Sequence, residues 1–144
     1  MVIPPFITAF IFNGMLEEFG WRGYVLPRFQ ARWNALPSSL ILGVIWGAWH
    51  IGQWFVPGSN LYQRNFWLWG LGTILLSILM TWIFNNTKGS VLAASLFHAM
   101  INTGIILFQL DWRYYGVELL AVILIVIIFG PKSLVRRRAE EGTQ

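Results

Sequence analysis

Apolar residues are grouped along the chain into five long stretches, and short polar linkers separate one stretch from the next. The stretches cover residues 2–26, 37–55, 66–84, 91–110 and 115–129. A helix needs about 20 mainly apolar residues to cross a hydrocarbon layer about 30 Å thick. The linkers are rich in Pro, Gly and Asn, which favour turns. The pattern therefore predicts an all-α fold, a polytopic transmembrane bundle of about five helices.

The composition narrows the class of protein further. Of the 144 residues, 56% are hydrophobic and 11% are charged, whereas an average soluble domain is about 25% charged. This composition excludes intrinsic disorder and a basic nucleic-acid-binding protein. The chain has no Cys, which excludes disulfides, thiolate metal ligands and a Cys nucleophile. We therefore expect an integral, multi-pass membrane protein that meets the lipid bilayer and binds no nucleic acid.

Basic residues in the linkers predict the orientation of the chain, because cytoplasmic loops carry an excess of Lys and Arg. Alternation of the spans places Arg28, Arg32 and Lys88 on the same side as the basic C-terminal tail, and leaves two arginines opposite. We therefore expect a cytoplasmic C-terminus, in a bacterial cell membrane on grounds of compactness. Without an internal repeat, residues 1–144 are predicted to be one membrane-embedded domain. Its apolar start, which lacks signal-peptide features, is typical of the C-terminal part of a longer protein.

Polar side chains inside the predicted spans mark the candidate site, because an ionisable group in the bilayer is costly and is usually functional. We select residues on the first, second and fourth spans: Glu17, Glu18, Arg22, His50, His98 and Asn102. Their distances from the helix ends, at about 1.5 Å per residue, place them at overlapping depths. We expect the three helices to present these groups to one chamber, nearer the cytoplasmic face than the outer face.

Residue spacing divides the roles of these groups. Glu18 and Arg22 are four residues apart, share a helix face and can pair. Glu17 has no cation at the equivalent positions of its own helix, which leaves this carboxylate free to take a proton from water. An imidazole can orient that water, while an amide and the other imidazole donate to the oxyanion. Alternatively, His50, His98 and Glu17 can hold a zinc ion that acidifies the water.

The selected residues form three short motifs along the chain. The motifs are Glu17-Glu18-x-x-x-Arg22, Trp46-x-x-x-His50 and His98-x-x-x-Asn102. In this order, and on separate membrane helices, they resemble the CPBP family of intramembrane proteases. That family includes the type II CAAX-prenyl endopeptidases and the bacterial Abi proteins. The aromatic position of the second motif is usually Phe in the family, and it is Trp46 here.

The resemblance implies hydrolysis of a peptide bond within the membrane, at a site that opens to the cytosol and takes a peptide or protein substrate at the cytoplasmic leaflet. By matching position, Glu17 would be the general base and His50 would assist it. His98 and Asn102 would bind the oxyanion or the substrate, and the other residues of the first motif would support the site. The family is named as metal-dependent, so the resemblance leaves open a metalloprotease with zinc on His50 and His98.

Two other classes of function fit parts of the pattern. A non-catalytic bacteriocin-immunity or scaffold protein of the membrane would use the same pocket for binding alone. A proton-coupled transporter also buries Glu and His residues, but such transporters are built from repeats, and this chain has none. The sequence therefore predicts an intramembrane endopeptidase first and a binding protein second.

Overall fold

The computed structural model describes residues 2–108 and 113–135, and this part of the chain contains helices and no strand. Helix α1 covers residues 3–30 as consecutive α and π segments, which are Ile3–Thr8, Ala9–Met15, Leu16–Gly20, Trp21–Val25 and Leu26–Gln30. The other helices are α2 (Ala35–Trp49), α3 (Phe66–Asn86), α4 (Val91–Phe108) and α5 (Arg113–Phe129). A short 3-10 segment, Ile51–Phe55, follows α2. The predicted all-α bundle of five helices is confirmed.

Three helical segments are long and apolar enough to cross a membrane, namely Ala35–Phe55, Phe66–Asn86 and Val91–Phe108. Helix α5 is shorter, with 17 residues, and α1 is divided into short segments. The predicted end of the fourth stretch, residues 109–110, and the basic tail beyond residue 135 lie outside the described residues. The described part of the chain thus contains three helices that could span a membrane by length and composition, as expected of an integral membrane protein.

Helix boundaries follow from local chemistry. The Asn65 side chain caps α3 by accepting a hydrogen bond from the Leu68 N–H at 2.9 Å, which satisfies one of the free donors of the first turn. Helix α5 ends before Gly130, whose φ of +76° is accessible to glycine at little cost. Pro131 follows, and its missing N–H and fixed φ prevent the helix from continuing.

Small residues set the closest approaches between helices. A Cβ atom at Gly43 of α2 would lie 2.8 Å from the Ile74 Cα of α3. A Cβ atom at Gly14 of α1 would lie 2.5 Å from the Ser95 carbonyl oxygen of α4. The Ser95 hydroxyl donates to the Gly14 carbonyl oxygen at 3.0 Å across the same contact. Glycine permits this proximity. The close approach places the turn of α1 that contains Glu17 and Glu18 next to the turn of α4 that contains His98.

The ends of α1 and α3, the start of α2 and the segment after α5 meet at one end of the bundle. Gln30 and Asn85 exchange two amide hydrogen bonds of 3.1 and 3.0 Å. The Ala35 N–H donates to the Lys132 carbonyl oxygen at 2.8 Å, and Asn85 also donates to the Ser133 carbonyl oxygen. We call this the basic end, because it carries Arg28, Arg32, Lys88 and Lys132. The side of the membrane that it faces stays a prediction.

Candidate active site

Glu17 lies in the middle of α1, where both of its carboxylate oxygens are held by donors. Asn13 Nδ2, one turn earlier on α1, donates to Oε1 at 3.3 Å. Trp46 Nε1 of α2 donates to Oε2 at 2.8 Å. The side chain is half-buried. Each carboxylate oxygen can accept more than one hydrogen bond, so Glu17 is oriented and can still accept a proton from water.

His50 lies at the C-terminal end of α2, and one of its ring nitrogens is already used. Nδ1 is 2.8 Å from the carbonyl oxygen of Trp46. Because a carbonyl only accepts, Nδ1 carries the hydrogen and Nε2 of the neutral ring is left as an acceptor. The rings of Trp49 and Trp69 lie 4.8 and 5.1 Å from the imidazole, centroid to centroid. The ring is therefore fixed, with Nε2 available to a water molecule.

A buried cluster of charge lies behind these two residues. Arg22 Nη1 donates to Glu18 Oε1 at 3.1 Å and is the same distance from Oε2, which is the pair expected from the spacing. His98 Nδ1 is 2.9 Å from the same Oε1, a contact between α1 and α4. Glu18 and Arg22 are fully buried, each with 0% exposure. Breaking one side of such a pair is costly, so the cluster holds the two helices together.

Trp46 lies at the centre of the site. Besides its hydrogen bond to Glu17, its ring is 5.3 Å from the imidazole of His98 and 6.0 Å from that of His50. The guanidinium carbon of Arg22, which lies on α1, is 4.7 Å from the centroid of the Trp46 ring. Phe could fill this space but could not donate to Glu17. Sequence reasoning gave no role to Trp46, although the replacement of the usual Phe was a signal.

The four predicted catalytic residues line one cavity of about 660 Å³, and they are Glu17, His50, His98 and Asn102. The His98 side chain is almost fully buried, and Asn102 is half-buried one turn further along α4. In the described residues, no protein group forms a hydrogen bond with the Asn102 amide. The structure therefore places the carboxylate, the two imidazoles and the amide of the four predicted residues around the same space.

The cavity extends away from the basic end of the bundle. Asn60, Arg64 and Tyr114 line it at the opposite end. The expectation of a chamber near the basic end is therefore corrected. Glu17 contacts Asn13 in the first half of α1, and His50 lies at the C-terminal end of α2, both away from the basic end. If the basic end is cytoplasmic, the cavity opens on the other side. The predictions of a cytoplasmic C-terminus and of a cytosolic opening therefore conflict in this fold.

The residues of the site do not fit a zinc centre as they are placed. A catalytic zinc ion needs about three protein ligands around it. Within residues 2–108 and 113–135, no group of three or more His, Cys, Asp or Glu side chains is positioned to hold a metal ion. No role in the reaction is therefore assigned to a metal ion.

Sequence reasoning missed a further acidic residue of the cavity, Glu118 of α5. It is 3% exposed and lines the same space as Glu17. The Tyr114 hydroxyl, one turn earlier, donates to Glu118 Oε1 at 2.6 Å. The signal was present, because Glu118 is a carboxyl group inside the fifth apolar stretch, and such groups are rarely without a role.

Comparison with known proteins gives the family. The family model described as type II CAAX prenyl endopeptidase, Rce1-like, matches residues 1–104. A protein of Methanococcus maripaludis named CAAX prenyl protease 2 is 30% identical over 105 residues, which cover 68% of this chain. The chain spans 38% of the length of that relative. No solved structure matches.

The matched range contains all three motifs of the site, from Glu17 to Asn102. It ends before α5, so Glu118 lies outside it. The resemblance to the type II CAAX-prenyl endopeptidases is thus confirmed by the family match. The chain belongs to the Rce1-like family of type II CAAX prenyl endopeptidases.

Proposed function

We propose that the chain acts as an intramembrane endopeptidase with Glu17 as its general base. The observation that carries the proposal is the cavity that Glu17, His50, His98 and Asn102 line together. Membership of a family of endopeptidases supports the same reaction. Hydrolysis of a peptide bond needs a base, an oriented water molecule and donors for the oxyanion, and the cavity contains a candidate for each.

In the first step, water attacks the carbonyl carbon of the scissile bond. Glu17 takes one proton from the water, while His50 Nε2 accepts a hydrogen bond from the other water hydrogen. Asn13 and Trp46 keep the carboxylate in place. As the new C–O bond forms, the π electrons of the carbonyl move to its oxygen. This step produces a tetrahedral oxyanion and a protonated Glu17.

In the second step, the oxyanion is stabilised and then collapses. The Asn102 amide can donate to it directly. His98 can donate from Nε2 when its ring is doubly protonated, because Nδ1 then donates to the Glu18 carboxylate. On collapse the C–N bond breaks, and Glu17 returns its proton to the leaving amine. The products are a carboxylic acid and an amine, Glu17 is again ionised, and transfer of the acid proton to the amine gives the carboxylate and ammonium ions.

The substrate that we propose is a peptide tail presented at the membrane. The relative is named a CAAX prenyl protease, which favours a C-terminal segment with a lipidated Cys. The cavity volume of about 660 Å³ lies in the usual range for ligand sites, roughly 300–1,000 Å³. A peptide would enter from the end that carries Arg64 and Tyr114, and a lipid chain would stay in the bilayer.

The proposal is tested with the purified chain in lipid nanodiscs and a fluorescence-quenched peptide that ends in a farnesylated C-a-a-X sequence. The same peptide without the farnesyl group tests the lipid requirement. We expect Glu17→Gln to lower kcat by about 10²–10⁴-fold, the usual contribution of a general base. Leu16→Ala is the matched control, because Leu16 is adjacent and 66% exposed. We expect wild-type activity from that control.

Two further measurements make the outcome decisive. Cleavage that survives a metal chelator supports water activation by Glu17 and His50, whereas loss of cleavage that zinc restores would replace this mechanism by a metal-dependent one. A folded wild-type chain that binds the peptides without cleaving either of them would contradict the proposal. That result would instead favour the non-catalytic immunity or scaffold role.

A further inference from the structure

Glu118 has one oxygen that the protein leaves without a partner. Oε1 accepts the hydrogen bond from Tyr114 at 2.6 Å, whereas Oε2 is buried and forms no hydrogen bond in the described part of the chain. An unpaired polar atom in a buried position destabilises a protein by about 1–3 kcal/mol, and more if it is charged. A bound ligand that pairs with Oε2 would remove this cost.

The wall that carries Glu118 is held firmly against the rest of the bundle. Tyr114, Tyr115 and Glu118 of α5 line the cavity together. The Tyr115 ring lies against Gly72 of α3 so closely that any Cβ atom at that position would overlap the ring. Glycine at residue 72 therefore lets α5 pack at this depth. The position of Glu118 in the cavity wall follows from that packing.

The chemistry around Glu118 favours a cation. An ionised carboxylate only accepts hydrogen bonds, and Oε2 of Glu118 has no donor among the described residues. The rings of Tyr115 and Trp69 line the same cavity, and aromatic faces attract ammonium and guanidinium groups. Apart from the two histidines, the carboxylates Glu17 and Glu118 outnumber the one Lys or Arg side chain among the described lining residues, Arg64, which is exposed. A positively charged group would thus have an acceptor and aromatic faces within one cavity.

We propose that Glu118, held by Tyr114, is a subsite for an ammonium or guanidinium side chain of the bound peptide. The inference rests on the proposed function, because it takes the occupant of the cavity to be a peptide. Glu118 lies on α5, beyond the range that the family model matches. The subsite is therefore a feature of this chain that the family assignment does not supply.

The experiment uses pairs of peptides that differ at one position, which is Lys in one peptide and norleucine in the other. Positions on both sides of the scissile bond are varied in turn. At one position we expect wild type to prefer Lys by about tenfold or more in kcat/KM, the effect of one charge-assisted hydrogen bond. Glu118→Gln should bring this ratio close to one. Val117→Ala, adjacent and 66% exposed, should keep the wild-type ratio.

A binding measurement separates the subsite from catalysis. In a Glu17→Gln background, the Kd values of fluorescent Lys and norleucine peptides should show the same preference, and adding Glu118→Gln should remove it. Glu118→Asp withdraws the carboxylate by one methylene and serves as a second variant if Glu118→Gln does not fold. We expect it to reduce the preference.

The outcomes distinguish the inference from the function on which it rests. If wild type cleaves both peptides of every pair equally, or if Glu118→Gln retains the preference, the subsite is refuted and the endopeptidase proposal stands. If wild type cleaves neither peptide but binds the Lys peptide through Glu118, the endopeptidase proposal fails and the subsite stands.

Discussion

At the scale of single residues, Trp46 combines two functions in one side chain. Its ring packs between the imidazoles of His50 and His98, and its indole N–H holds Glu17 at 2.8 Å. A hydrogen bond to a charged group contributes about 1.5–3 kcal/mol. We therefore regard Trp46 as a positioning residue, one that acts on the reaction through Glu17.

Trp46→Phe tests this role because it retains an aromatic ring and removes the donor. We expect kcat to fall about tenfold or more while KM changes little, since one hydrogen bond to the proposed base is lost. Steady-state kinetics on the quenched peptide measure both constants. Trp67→Phe is the matched control, because Trp67 is 81% exposed. Equal kcat values for Trp46→Phe and wild type would refute the positioning role.

At the scale of helices, α1 directs two adjacent carboxylates to two different neighbours. Glu17 bonds to Trp46 of α2, and Glu18 bonds to His98 of α4. Both lie in the short α segment Leu16–Gly20, which is flanked by the π segments Ala9–Met15 and Trp21–Val25. Adjacent residues on a helix point about 100° apart. Glu17 and Glu18 can therefore contact α2 and α4 at the same time only if α1 packs closely between these two helices.

Gly14→Ala tests this close packing. The new Cβ atom would lie 2.5 Å from the Ser95 carbonyl oxygen, so α1 and α4 must separate, and overpacking of this kind costs about 1–3 kcal/mol. We expect a lower thermal unfolding midpoint in nanodiscs and a large loss of cleavage, because the Glu18–His98 contact lengthens.

The matched control for this prediction is Gly20→Ala on the same helix. A Cβ atom at Gly20 meets no heavy atom within 4 Å. Alanine in a helix is favoured over glycine by about 0.5–1 kcal/mol, so Gly20→Ala should keep activity and raise the unfolding midpoint slightly. An active, stable Gly14→Ala variant would show that the site does not depend on the Gly14–Ser95 approach.

At the scale of the whole molecule, the cavity and the basic residues lie at opposite ends of the bundle. Lys88 belongs to the basic end, whereas Arg64 lines the cavity at the far end. The excess of Lys and Arg predicts that the basic end is cytoplasmic. A cytosolic active site, which the family resemblance implies, requires the reverse orientation. A measurement of sidedness therefore decides from which leaflet a substrate enters.

The natural chain has no Cys, so single cysteines can report this orientation without background. Lys88→Cys marks the basic end, and Pro57→Cys marks the exposed linker after α2. From the charge bias we expect a membrane-impermeant maleimide to label Lys88→Cys in inverted vesicles and Pro57→Cys in right-side-out vesicles. The opposite pattern would overturn the predicted cytoplasmic C-terminus and place the opening of the cavity at the cytoplasmic leaflet.

The sequence by itself determined the features that depend on neighbouring residues. A backbone in lipid must satisfy its hydrogen bonds within each segment, so long apolar stretches predict helices and the linkers predict their ends. Helical spacing likewise predicts the Glu18–Arg22 pair, which the structure forms at 3.1 Å. The motif residues, being polar groups in apolar surroundings, could be selected as candidates before any contact was known.

Only the tertiary structure decided which helix faces which, and with which side chain. The bonds from Trp46 to Glu17 and from His98 to Glu18 join residues 29 and 80 positions apart. The direction of the cavity and the inclusion of Glu118 in its wall were also decided at this level. The physical reason is that the rotation of each helix about its axis, and its distance from the next helix, depend on which small residues come into contact. Gly14 and Ser95 are such a pair, and no local sequence pattern contains that pairing.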